Sequence, residues 1–81
     1  MIGNKVIREL QVMVTVYKTN VSTKIRAKSI IDKLASELSG CRINFDLEDC
    51  DKILRIEGTD INEEKITEFL RMHKIQYEEL L

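Results

Sequence analysis

The chain contains no proline, two cysteines and a single histidine, and it has no apolar run of the roughly 20 residues that a membrane span needs. Each scarcity excludes something. Without proline, slow prolyl isomerisation is removed from folding and no proline-marked linker divides the sequence. Cys41 and Cys50 are too few for a disulfide scaffold and lack the spacing of a zinc site, which points to a reduced, intracellular protein. The N-terminus has no apolar core of signal-peptide length, so the expected location is cytoplasmic and no membrane partner is indicated. One histidine, with no serine or cysteine beside a recognisable base, leaves no nucleophile constellation. The acidic residues lack the burial that would make a general acid and base of them. The expectation is a protein that is not an enzyme and uses no cofactor.

Charge of one sign is also missing. Thirteen Lys and Arg against fourteen Asp and Glu give a net charge of -1, which offers no general attraction to nucleic acid. The distribution is uneven: residues 1–40 carry seven basic and three acidic side chains, residues 41–81 six basic and eleven acidic ones. Eighty-one residues make one domain, and a chain of this size buries only about 60% of its unfolded surface, enough for one modest core.

Periodicity supplies the organisation. In Gln11–Tyr17, three valines alternate with Met13, Thr15 and Tyr17, the period of a strand with one face buried. Asn20 or Ser22 can cap a helix in which Ile25, Ile31, Leu34, Ala35 and Leu38 recur, with Gly40 as terminator. Cys41, Ile43, Phe45 and Leu47 then alternate with Arg42, Asn44 and Asp46, giving a second strand with an inner and an outer face. Its polar outer row suits a protected sheet edge. The acidic run Glu48–Asp51 turns the chain into a third strand, Lys52–Glu57, ended by Gly58. Thr59 or Asp60 can cap a second helix carrying Ile61, Ile66, Phe69, Leu70 and His73, with Glu63 and Glu64 near the positive end of its dipole. Ile75–Glu78 resumes as a last strand. The order β-α-β-β-α-β is that of an α+β, ferredoxin-like sandwich with two helices on one face of an antiparallel sheet.

Met13 through Leu80 resembles the heavy-metal-associated (HMA) domain of copper chaperones and transporter tails, and is more closely similar to small bacterial relatives of it that lack the metal cysteines. The stretch Asn44–Ile56, NFDLEDCDKILRI, carries that likeness. The resemblance implies a ferredoxin-like HMA-like domain over residues 13–81, preceded by an N-terminal extension over residues 1–12. The wider family implies soft-metal binding and transfer between partner domains. Here Val21, Ser22, Thr23 and Lys24 stand where that family carries its Cys-x-x-Cys loop. Cu(I) needs thiolate or thioether ligands, which neither Val21 nor Lys24 supplies.

The topology places the loop Lys18–Lys24, the hairpin tip Glu48–Lys52 and the turn His73–Ile75 at one end. Two readings follow. Lys18, Lys24, Arg26 and Lys28 face Asp46, Glu48, Asp49 and Asp51 as complementary patches that could steer docking on a protein partner or a second copy. Alternatively, Cys50 and His73, with Asp49 or Asp51, could rebuild a metal site in a noncanonical place, although a closed zinc site wants four ligands. Cys50 as a turn residue and His73 as a helix-end side chain need no metal, and Met72 adds a soft atom beside His73. Cys41 reads as a small buried hydrophobe too far from Cys50 for a disulfide.

The uncovered sheet face, read as Met13, Thr15, Tyr17, Arg42, Asn44, Ile53 and Arg55, has one aromatic, Tyr17, for the base stacking that RNA-recognition domains perform on such a face. It suits packing of another copy or of the first twelve residues better. A dimeric small-ligand regulatory domain shares the topology, but no glycine-rich ligand loop supports it. Val6, Ile7 and Leu10 fit an amphipathic helical turn, and Val6–Val12 also fits an extension of the first strand. The main expectation is a protein-interaction or self-association module.

Overall fold

The computed structural model describes residues 12–80. The predicted extension, residues 1–12, therefore lies outside the described residues except for Val12. Six elements follow one another: β1 (Met13–Thr19), α1 (Lys24–Glu37), β2 (Arg42–Asp46), β3 (Ile53–Gly58), α2 (Glu63–Met72) and β4 (Tyr77–Glu79). They form one four-stranded antiparallel sheet in the order β2-β3-β1-β4. This is the expected ferredoxin-like α+β arrangement. Ala27, Ile30 and Leu34 of α1 and Ile66, Phe69 and Leu70 of α2 bury into one core with Tyr17, Ile43, Leu54 and Ile56 of the sheet. No described helix is long and apolar enough to cross a membrane.

The face of β1 is the reverse of the sequence reading. Thr15, Tyr17 and Thr19 are buried, whereas Val12 and Val14 are exposed and Val16 half-buried. Register is the cause. Tyr17 lies opposite Leu54 and Thr15 opposite Ile56, and residues directly opposite share a face. With Leu54 and Ile56 fully buried, Tyr17 and Thr15 must turn inward with them. Val14 and Val16 instead pair with Glu57 and Arg55. Tyr17 therefore belongs to the core and is no stacking platform; its ring meets Tyr77 edge-on at 5.8 Å.

Both helix caps lie further along the chain than expected. Thr23, not Asn20 or Ser22, accepts the Arg26 amide at 3.2 Å. Asn62, not Thr59 or Asp60, accepts the Lys65 amide at 3.2 Å. Each is the last competent oxygen before the helical amides, within reach of the third amide of its own helix. Glu63 and Glu64 do occupy the first turn of α2. In α1, Ile25 is 86% exposed and the buried stripe is Ala27, Ile30 and Leu34.

After α2 the chain closes with the Ile75 amide donating to the Leu70 carbonyl (2.9 Å) and the Lys74 amide to Arg71 (3.0 Å). This is a Schellman closure, and it places Lys74 at a left-handed φ of 59°. Ile75 is thereby buried as the hydrophobic partner of the motif and β4 starts only at Tyr77.

Candidate interaction site on the α1 and β2 side

The loop that follows β1 is held by the elements around it. The Thr19 amide donates to the carbonyls of Asp51 (3.1 Å) and Lys52 (3.2 Å). The Thr19 hydroxyl donates to the Lys52 carbonyl at 2.6 Å and accepts the Val21 amide at 3.2 Å. The Asn20 side chain accepts the Gln76 amide at 3.1 Å, tying the loop to the approach of β4. Val21 is completely buried, and Thr23 is occupied as the cap of α1. This loop presents a hydrophobic plug and a capping hydroxyl.

The hairpin tip is built from its own acids. Asp46 Oδ1 accepts the amides of Glu48 (3.2 Å) and Asp49 (3.3 Å). Asp49 Oδ1 accepts the Asp51 amide at 2.8 Å. These side-chain turns replace a glycine-based turn. Asp51 also meets Lys18 at 3.6 Å, with both side chains substantially exposed, so the pair contributes at most about 1 kcal/mol.

The eight predicted interaction residues therefore divide. Lys18 and Asp51 pair with each other; Asp46 and Asp49 shape the turn; Arg26 donates from Nη2 to the His73 carbonyl at 3.3 Å. Lys28 pairs with Asp32 one turn along α1 at 3.3 Å. Lys24 has no ion pair among the described residues.

Four of the eight converge on a groove of about 500 Å³ between α1 and β2. Its floor is Ala27, Ile31, Phe45 and Leu47, and its rim carries Lys24, Lys28 and Asp32 along the helix and Asp46 and Glu48 at the end of the strand. The charged rim was legible from sequence because the topology sends the start of α1 and the end of β2 to the same end. The floor was missed as a site, since alternation marks Phe45 and Leu47 only as inward. In the fold both stay half-buried, because β2 is an edge strand and nothing among the described residues covers their outer flank.

Of the residues considered for a metal, Asp49, Cys50 and Asp51 have ligand atoms within 4.8 Å of one another, in an exposed to half-buried setting. The Cys50 thiol and Asp51 Oδ1 are 4.0 Å apart. His73 does not join them: it caps α2, and its ring lies against Phe69 at 4.1 Å between centroids. Met72 is 72% exposed. Cys41 and Cys50 are both free thiols, Cys41 half-buried as the inward row of β2 begins.

One buried polar atom has no partner among the described residues: the hydroxyl of Tyr17, whose side chain is fully buried. Loss of solvation, aided by the nearby Glu79, Glu63 and Tyr77, pushes its pKa up to about 12. This phenol stays neutral at any physiological pH. It opens on none of the grooves described here and is an element of the core.

Comparison of the chain with protein families, with curated proteins and with solved structures returns no match.

Proposed function

We propose that the chain is a small protein-binding or self-associating module that docks through its α1 and β2 side. The observation that carries this reading is the apolar groove whose rim holds two lysines on one wall and two acids at the end of the other. An apolar floor gives affinity by excluding water, and a mixed-sign rim sets orientation and on-rate. The described residues include no enclosed polar cavity with a nucleophile and base, which keeps a binding role ahead of a catalytic one. The resemblance to HMA-like proteins without the cysteine pair fits a fold retained for contact. The buried Val21 and the capping Thr23 are consistent with that use.

The competing reading is metal binding or transfer through Cys50. Its support is the Asp49, Cys50 and Asp51 cluster; a lasting site there needs His73 or another ligand to move in.

Two measurements separate the readings. Partners retained by the immobilised full chain should be lost from the Lys24→Glu, Lys28→Glu double variant at unchanged melting temperature. Retention by both proteins equally sinks the groove reading. Titration of the reduced chain with Cu(I) and Zn(II) against a chelator should give no one-to-one complex. A complex that raises the melting temperature and disappears in Cys50→Ser establishes the metal reading instead.

A further inference from the structure

The two edges of the sheet differ. β4 is three residues long and ends in Glu78 and Glu79, so pairing with its own copy sets like charges together, a common protection of sheet edges. β2 is guarded only by its polar outer row, whose two charges, Arg42 and Asp46, are of opposite sign and so do not repel a second copy. It is five residues long, carries no lysine, and no described strand pairs with its outer side.

The sequence of β2 and its flanks is self-complementary when read backwards. About Asn44 as centre, Arg42 falls opposite Asp46, Ile43 opposite Phe45, and Cys41 opposite Leu47. In antiparallel pairing, opposite residues share a face and a one-residue slip would put apolar side chains opposite polar ones. In this register alone is every residue of the strand paired, with apolar opposite apolar on the inner face and opposite charges at both ends of the outer one. The charges are free to do so. Arg42 has no ion pair among the described residues, because Glu57 beside it on β3 is taken by Arg55 at 3.0 Å. The hairpin turn uses only Oδ1 of Asp46, which leaves Oδ2 for a second arginine.

We infer that the chain forms a two-fold dimer through antiparallel pairing of β2 with β2 of a second copy, Asn44 lying on the axis. This deepens the interaction-module reading and rests on it. The pairing joins two sheets into one of eight strands. It brings the α1 side of both copies to the same face of the joined sheet, with Phe45 of each copy opposite Ile43 of the other and Leu47 opposite Cys41, so that the open flanks of Phe45 and Leu47 lose contact with water. The interface is isologous, as closed dimers require.

The test is sedimentation of the full chain over a concentration series, with melting temperature followed for every variant. The expected result is a concentration-dependent dimer. Asn44→Lys, which places two ammonium groups together on the axis, should raise the dimer dissociation constant at least about tenfold. Val16→Lys, on the uncovered face, should leave the constant unchanged. Asn44→Cys under oxidising conditions should give a disulfide joining the two substituted positions. A chain that stays monomeric to about 1 mM overturns the inference, as does a dimer dissolved by Val16→Lys and not by Asn44→Lys, or absence of the cross-link. If the chain is monomeric while the Lys24→Glu, Lys28→Glu variant still loses a partner, the dimer is wrong and the interaction-module reading stands. If both tests fail, that reading falls as well.

Discussion

The two faces of β1 invert the usual composition of inside and outside. Its inner row includes Thr15, Tyr17 and Thr19, and its outer row includes Val14 and Val16, with the exposed Val12 just before the strand. By hydrophobicity alone the valines belong inside. The strand is not an independent unit, however: β3 lies next to it, and burial of Leu54 and Ile56 decides the matter for both strands. The threonines are then accommodated by hydrogen bonding. Thr19 is satisfied by Lys52 and Val21, and Thr15 reaches Glu63 at 3.5 Å. The side a residue takes is a property of the sheet, and local composition votes only once.

The largest test of this contrast is Leu54→Ala. It empties a fully buried site that lies opposite Tyr17 on β1 and Phe45 on β2, and it should cost about 2 to 5 kcal/mol in denaturant unfolding. A loss below about 1 kcal/mol would mean that the inner face is not packed as described.

Tyr17 provides a pH test. Its native pKa lies above the unfolded value of 10.0, so the native state holds the proton more tightly. The associated stability is fully present below pH 10 and is lost as pH rises through about 12. Two units at about 1.4 kcal/mol each give a fall of about 2 to 3 kcal/mol. Tyr17→Phe should lack that component and, having no stranded hydroxyl, be unchanged or more stable by about 1 kcal/mol at pH 7. Parallel alkaline unfolding curves for the two proteins would show that Tyr17 is not buried.

At the far end of the inner face, Gly58 lies beside the start of β2. A Cβ added there would stand 2.8 Å from Cys41 Sγ. Gly58→Ala should therefore cost about 1 to 3 kcal/mol, and Cys41→Ala in the same chain should recover much of it, because the remaining neighbours lie at 3.5 and 3.6 Å. A double-mutant cycle with no coupling would contradict this contact.

Smaller effects come from the turn that launches β4 and from the outer row. Lys74 occupies the left-handed position of the Schellman closure, so Lys74→Gly should stabilise the protein by roughly 1 kcal/mol, read as a raised melting temperature. Val14→Thr, which keeps the β-branch on the uncovered face, should change stability by less than about 0.5 kcal/mol. A large loss there would place a partner or a further segment of chain over the valines.

Element order was legible because each segment has its own hydrophobic period, and the inner row Cys41, Ile43, Phe45 and Leu47 was legible because β2 alternates cleanly between apolar and polar. The caps were not. Asn20, Ser22 and Thr23 before α1, and Thr59, Asp60 and Asn62 before α2, are all chemically able to cap, and only the backbone path selects Thr23 and Asn62. The meeting of Lys24 and Lys28 with Asp46 and Glu48 followed from topology, whereas the groove between them follows from which strand lies at the edge.

By itself, then, the sequence determined the periods, the order of the six elements and the acidic chemistry of the hairpin, because these depend on neighbours within a few residues. Tertiary structure alone decided which face of β1 is inside, which oxygen caps each helix, and that Tyr17 is buried while Val14 is not. Those outcomes depend on cross-strand register, through which residues some forty positions apart share one face.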